Sequence, residues 1–392
     1  MTLKTKLKVP TESPLDAAFG ADPKSLKDNW DFTFIELFAG IGGFRVALDD
    51  LGGKCVFASE WNKASQDTYE KNFGERPSGD ITKIDPYSIP DHDFLTGGFP
   101  CQTFSGSGVT KLISLGREHG LRNPTKGSMF GYTKEIIAAK RPKMFFLENV
   151  KGIKNHDKGY TFKIIMDTLN DLDYKVYAAV QTSVYWVPQH RERMFFIGFD
   201  QQRVDPNSID FQFPDPPEPK NGRLPMMADI MESDPDERTR MTDLQWNTLQ
   251  EYMNRPRKVW GFSYDMNTGT SICRTLMAQC NGSSATLIRD DPNKNPRRPT
   301  SRELARLMGF PDSFQVPDRH RAAQFLLGNA VVPPLIRHVT KAMLQTWDQA
   351  TPNLAPLDLS EIQNNPIIPP PKQENQVVQK VSIPEPAWDF FE

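Results

Sequence analysis

Phe34-Ile35-Glu36-Leu37-Phe38-Ala39-Gly40-Ile41-Gly42-Gly43-Phe44 runs from a short apolar segment through a glycine turn into a helical pattern, and this passage decides the fold. Glycine lets the chain turn sharply and lets backbone approach a ligand closely. Downstream, GGFRVALDDLG and YTFKIIMDTLNDLDY carry helical spacing, while CVFASE, FLTGGFP, KMFFLENV and RMFFIGF are short apolar runs that end in turns or polar residues. Strands alternating with helices over residues 32–199 imply an α/β fold with a mostly parallel sheet covered on both faces. Ligands of such sheets bind at the carboxyl ends of the strands. From about 200 to 296 the chain turns proline-rich (FPDPPEPKNGRLP) and loses sustained periodicity, so a smaller, irregular region is expected there. TSRELARLMGF restores a helical pattern, with Thr300 or Ser301 as its cap and Leu304, Leu307 and Met308 on one face. FLLGNAVVPPLIRHVTKAMLQTW reads as a turn into a final helix with Pro333 and Pro334 near its start.

The 392 residues leave room for one large domain and a smaller one, and 38% hydrophobic with 24% charged residues is ordinary for a globular protein. No apolar run is long enough to span a bilayer, and MTLKTKLKVPTESPLD has no apolar centre, so a membrane partner and a secretory signal are not expected and the cytoplasm is. The four cysteines, Cys55, Cys101, Cys273 and Cys280, form no C-x-x-C pair, and His spacing suited to a metal is absent; neither disulfides nor a metal are expected. A net charge of −2 does not announce a nucleic-acid binder, but Asn254 to Arg306 holds ten Lys or Arg against four acids, net +6, which suits a surface facing phosphates.

The spacing G-x-G-G at Gly40, Gly42 and Gly43 differs from the dinucleotide fingerprint and disfavours a nicotinamide cofactor. Glu60 follows Gly40 by twenty residues at the end of the next strand, where a carboxylate can accept both hydroxyls of a ribose. Trp61 beside it could lie against an adenine or a sulfonium, and Asp80 could accept from an adenine amino group. Order and spacing together favour a nucleoside ligand whose identity they leave open.

Gly97-Gly98-Phe99-Pro100-Cys101-Gln102-Thr103-Phe104-Ser105-Gly106-Ser107-Gly108 follows the strand FLT, so Cys101 falls at the carboxyl edge of the sheet. Pro100 fixes the backbone just before the thiol. A polar, glycine-rich setting suits an exposed reactive thiol better than a packed one; the other three cysteines read as small buried hydrophobes.

PCQ-F-S-G after a glycine pair, with FAGIGGFR upstream, resembles the cytosine carbon-5 DNA methyltransferase family of restriction–modification systems. Glu148-Asn149-Val150, Gln189-His190-Arg191-Glu192-Arg193, Arg302 to Pro311 (RELARLMGFP) and Gly328-Asn329-Ala330-Val331-Val332 follow in the family's order. These ordered motifs over about 30–200 and 297–345 carry the resemblance. It implies a Rossmann-like domain dependent on S-adenosylmethionine, which leaves as S-adenosylhomocysteine, with a smaller target-recognition domain, duplex DNA as substrate, and no metal. The implied organisation is a leader at 1–30, a catalytic and cofactor-binding domain at 31–200, target recognition at 201–296, a return segment at 297–349 (297–320 bordering the small domain, 325–349 completing the catalytic one), and a disordered tail at 350–392.

By the same resemblance Cys101 is the nucleophile that adds to carbon 6 of a flipped-out cytosine, Glu148 donates at N3, and Arg193, with Arg191, binds the ring carbonyl oxygen. Strand alternation puts the two arginines on one face and Glu192 on the other. Phe38, Ala39, Gly40, Gly42, Gly43, Glu60, Trp61, Asp80, Ile81, Pro100, Met129 and Asn329 are the implied cofactor residues. Ser105 and Ser107 on the catalytic loop, and Arg274 and Thr275 in the recognition region, are the implied DNA contacts. The loop 109–126 is longer than compact members need. A restriction endonuclease acting on the same site without a stable complex, a monomeric state and association with the nucleoid complete the expectation. The alternatives are a transfer-RNA cytosine-5 methyltransferase, which lacks a sizeable reading domain, an inactive DNA-binding relative, which loses Cys101, Glu148 or Arg193, and a nucleotide-dependent oxidoreductase.

Overall fold

The glycine turn joins β1 (Phe32–Leu37) to α1 (Gly43–Asp49). β2 (Gly53–Ser59) and α2 (Lys63–Phe73) follow, the helix begun by Asn62, whose side chain accepts the Ser65 N–H. After β3 (Phe94–Gly98) come α3 (Met129–Lys140), capped by Ser128, then β4 (Met144–Val150), α4 (Tyr160–Asn170) and β5 (Tyr174–Thr182). The two-residue β6 (Gln189–His190) leads into β7 (Glu192–Asp200). The computed structural model describes residues 30–100, 128–219, 222–254, 264–278 and 285–352. Cys101, Ser105, Ser107, the 109–126 loop, Cys280, the leader before residue 30 and the tail after residue 352 lie outside them.

Six strands form one sheet in the order β2-β1-β3-β4-β7-β5. The β1–β2, β1–β3 and β3–β4 pairs are parallel, and β7 is antiparallel to both β4 and β5. Strand order reverses on either side of β1, which opens a crevice outside the carboxyl ends of β1 and β3. Because β7 runs the other way, its first residues start at that same edge.

Alternation along the strands divides the interior into two layers. Phe32 and Phe34 of β1, Met144 and Phe146 of β4, and Phe195, Ile197 and Phe199 of β7 pack with Phe44, Ala47 and Leu48 of α1. Ile35 and Leu37, Phe145 and Leu147, and Met194 and Phe196 point the opposite way, against Ile136 and Ile137 of α3 and Ile165 and Leu169 of α4. Strands buried on both faces explain the near-continuous apolar runs in the sequence.

Residues 201–296 are irregular, as their composition suggests. Their described residues hold short 3-10 turns, α5 (Asp243–Asn254), and the short strands β8 (Tyr264–Asn267), β9 (Cys273–Arg274) and β10 (Ala285–Ile288). β8 pairs with β10, and β9 pairs with β6. α6 (Ser301–Leu307) starts at Thr300 with a reciprocal capping box to Glu303. α7 (His320–Asn329) and α8 (Pro333–Gln349) complete the described chain. α8 lies on the α1 layer and buries Leu335, Ile336, Val339 and Met343 there.

Three sequence readings need correction. The apolar runs do not reveal β5, an edge strand with mostly half-buried residues and so a weak pattern. FLLGN is not a turn but the end of α7, where Gly328 lets the helix press on Met277 and Ala278. The net +6 stretch is not one positive surface. Arg297 is buried against Glu303 and Asp290, Arg306 pairs with Asp312, and Arg302 donates to the Pro311 and Phe314 carbonyls. Arg255, Arg257 and Lys258 lie outside the described residues.

Candidate active site

The loop between β1 and α1 is held from the side by the end of β2. Ala39 N–H donates to the Ser59 carbonyl at 2.9 Å, and Gly40 N–H donates to Glu60 Oε2 at 2.8 Å. The other Glu60 oxygen accepts the Asn62 N–H at 2.7 Å. Burial lifts the Glu60 carboxyl above the usual range, against the pull of the Asn62, Gly40 and Trp61 amides. Gly42 takes a φ of +88°, and a Cβ there would collide with the Phe73 ring. A Cβ on Gly43 would strike Val331, so the segment after α7 packs directly on the loop. Around Gly40, by contrast, the space is open.

The other positions expected to bind a cofactor gather at the same edge. Trp61 is 78% exposed, an unusual place for a Trp without a ring or partner to cover it. Glu60 N–H donates to the Ser78 carbonyl, which brings the Asp80-Ile81 turn alongside. Asp80 Oδ1 accepts the Thr82 N–H and hydroxyl, and Ile81 is buried beneath. Met129 opens α3, which packs on that turn. Phe38 is half-buried with a φ of +54°, Ala39 is buried, and Pro100 is exposed just past β3. Asn329 is exposed at the end of α7, where its amide donates to the Phe325 carbonyl.

β4 and β7 supply a charged pair at the carboxyl edge. Arg193 Nε lies 2.8 Å from Glu148 Oε1, and Arg193 Nη1 donates to the Glu192 carbonyl. Glu148 is the neighbour of Gly98 in the β3–β4 register, and a Cβ on Gly98 would sit 3.3 Å from Glu148 Oε2. The Asn149 amide donates to the Phe99 carbonyl at 2.8 Å, which fixes the backbone two residues before Cys101. Glu192 faces the other way and pairs with Lys151. Glu148, Arg191 and Arg193 line one small cavity with Ser183, Phe195, Val331, Val332 and Leu335.

Arg191, expected beside Arg193 at the ring carbonyl, is held by backbone. It is 2% exposed, and its guanidinium donates to the carbonyls of Leu276 (3.2 Å), Gly328 (2.9 Å) and Ala330 (2.7 Å). Burial, with Arg193 nearby, pulls it down to about 9, opposed by Glu148, so it stays charged at neutral pH. Backbone carbonyls thus engage Nη1 and Nη2 of its guanidinium. Thr275 donates its hydroxyl hydrogen to the His190 carbonyl at 2.6 Å, and exposed Arg274 lies 3.5 Å from Asp265. A phosphate at Thr275 would meet an oxygen whose proton is already committed.

Sequence reasoning assigned no role to two side chains. Gln189 accepts the Leu276 N–H and donates to the Leu307 carbonyl, pinning the segment around Leu276 to α6. Glu36 stands on β1 beneath the glycine loop, 1% exposed. Its signal was present: an acid at an inward position of an otherwise apolar strand. Cys55 and Cys273 are buried, as read. Among the described residues no cluster of three or more His, Cys, Asp or Glu could hold a metal ion, and no helix is long and apolar enough to cross a membrane.

Comparison with known proteins gives this edge its setting. The Type II methyltransferase M1.ScrFI of Lactococcus lactis subsp. cremoris is 40% identical over 323 residues, spanning 81% of this chain and 79% of the relative. M.DsaV, a Type II methyltransferase of Dactylococcopsis salina, is 39% identical over 354 residues, 88% of this chain and 97% of the relative. Among solved structures, the S. pombe Dnmt2 methyltransferase matches with a TM-score of 0.62 over 80% of this chain and 98% of its own, at 18% identity, a likeness of fold. The profile of the C-5 cytosine-specific DNA methylases matches residues 32–345, from the first strand of the sheet into its last covering helix. With the glycine loop, the Glu148–Arg193 edge and the return segment all inside that match, the chain belongs to the C-5 cytosine-specific DNA methylase family.

Proposed function

We propose that this chain methylates carbon 5 of a cytosine swung out of a specific duplex DNA sequence, with Cys101 as covalent nucleophile, as host protection in a restriction–modification system. The observation that supports it most is the convergence of β3, β4 and β7. Glu148 and Arg193 stand as an ion pair beside the strand that leads into Cys101.

Cytosine carbon 5 is a poor nucleophile. A bond from the Cys101 sulfur to carbon 6 makes carbon 5 enamine-like, and Glu148 supports the electron-rich ring by donating at N3. Arg193 offers a planar fork to the ring carbonyl oxygen. Once carbon 5 carries the methyl group, a base removes its proton and the sulfur–carbon 6 bond breaks. Unstacking and unpairing the base costs a few kcal/mol.

The residues around the loop fit S-adenosylmethionine. Gly40 borders open space, Glu60 is fixed where a ribose can use its remaining lone pairs, and Trp61 offers an uncovered ring. When bound, that molecule supplies an electrophilic methyl on a sulfonium and becomes S-adenosylhomocysteine. We read the enzyme as a monomer that needs no metal and works on nucleoid DNA in the cytoplasm. A restriction endonuclease would share its site without a stable complex.

Bisulfite sequencing of host DNA after expression tests the reading. Protected cytosines should share one sequence context and vanish with Cys101→Ser. Unprotected DNA from cells making folded protein, with methylation appearing on transfer RNA instead, would contradict it.

A further inference from the structure

Glu36 lies on the α1 side of β1, and its Oε1 accepts the Phe44 N–H at 3.2 Å, eight residues along the chain. One side chain therefore closes the whole bend from Leu37 to Gly43. Its second oxygen is buried and has no hydrogen-bond partner among the described residues. The groups facing it are Arg45 and Asp49 on α1, Cys55 on β2 and Tyr69 on α2. Arg45 is the one cation among them, and its guanidinium is taken by Asp49 (3.3 Å), the Tyr69 hydroxyl (3.2 Å) and Glu75 (3.0 Å). A carboxylate so placed lacks the pairing that buried charge requires.

We propose that Glu36 is a positioning residue for the cofactor, its carboxyl tying β1 to the first turn of α1 so that the Phe38–Gly43 loop keeps its binding shape. The proposal rests on reading that loop as the S-adenosylmethionine site. Burial pushes the Glu36 carboxyl up to about 8, against the pull of Arg45 and the Phe44 amide, so at neutral pH the tie is made by the neutral acid. Raising the pH through that value puts an unpaired charge beside the loop. Cofactor affinity should then fall.

Calorimetric titration with S-adenosylhomocysteine tests this on the wild type, Glu36→Gln and Glu36→Leu, at about pH 6.5 and about pH 9. Glu36→Gln keeps the acceptor and cannot ionise; Glu36→Leu has no acceptor. At the lower pH, Glu36→Gln should bind within about twofold of the wild type and Glu36→Leu about tenfold more weakly, a loss equal to one buried hydrogen bond. At the higher pH the wild type should weaken while Glu36→Gln holds its value. The kcat of Glu36→Leu at saturating cofactor should stay near that of the wild type. Equal affinity in Glu36→Leu, parallel pH profiles for the wild type and Glu36→Gln, or a kcat falling with affinity would overturn the assignment. If Glu36→Leu does not fold, the two pH profiles decide alone. A wild type that binds no S-adenosylhomocysteine would instead remove the loop reading, and the proposal with it.

Discussion

Arg193 and Glu148 meet at 2.8 Å at the edge of the sheet with 16% and 13% of their side chains open, whereas Arg297 and Glu303 meet at 2.6 Å beneath α6 with 1% and 0% open. The inner glutamate has no lone pair to spare. Glu303 Oε1 accepts from Arg297 Nη2 and the Glu232 amide, and Oε2 accepts from Arg297 Nη1 and the Thr300 amide. Arg297 spends its remaining Nε on Asp290. The outer glutamate is held at one oxygen, and the other faces the space beside Gly98. The role proposed for Glu148, donating to a cytosine ring, needs that vacancy. A strut works best without it, because a buried charge left unpaired costs more than the pair gains.

Separate readouts should divide the two pairs. The largest effect belongs to Glu148→Gln, which should slow methyl transfer by about 10²- to 10⁴-fold while leaving the unfolding midpoint in urea unchanged. A comparable loss of stability would make Glu148 a strut as well. Glu303→Ala should do the reverse and cost about 3–5 kcal/mol in urea unfolding, as the buried Arg297 loses both carboxylate oxygens that face Nη1 and Nη2 and keeps only Asp290 as a carboxylate partner, while kcat per folded molecule stays level. A variant equally stable and catalytically impaired would erase the distinction. The smallest effect is a pH dependence at the rim of the inner cluster. Burial opposes ionisation of Asp290, yet hydrogen bonds from Arg240 and Arg297 hold its carboxyl down at about 2, below the ordinary 3.8. Its stabilising contribution is therefore complete above about pH 4 and is lost as pH falls through about 2. The wild type and Asp290→Asn should differ in stability above that window and converge below it, as acid-unfolding curves can show. A constant difference across the range would place the effect in packing.

The outer pair was legible in the sequence because each partner sits in a short motif at a strand end, Glu148 in ENV and Arg193 in QHRER. Their meeting required the topology, in which β7 runs antiparallel beside β4 and brings its start to β4's end. The inner pair was not legible. Arg297 read as part of a positive surface, and only the fold shows Asp290 and Glu303 closing around it. The backbone ties of Arg191 were hidden for a related reason: its acceptors are carbonyls 85, 137 and 139 residues away, and no local pattern encodes them. Glu36 was visible as an acid in an apolar strand, but its use depended on the return of the chain at Phe44. Helix starts read well where a side chain makes the cap, as at Thr300, and poorly at α7, whose first residue follows Arg319 without a side-chain cap.

The vacancy at Glu148 matters only if a cytosine becomes bonded to the chain beside it. Incubating the enzyme with S-adenosylmethionine and target duplexes containing 5-fluorocytosine, then digesting and analysing the peptides by mass spectrometry, tests this directly. Carbon 5 then carries no removable proton, and the account predicts a nucleotide attached to the peptide containing Cys101, absent in Cys101→Ser. Turnover of ordinary target DNA with no attachment at that thiol, or with attachment elsewhere, would contradict it.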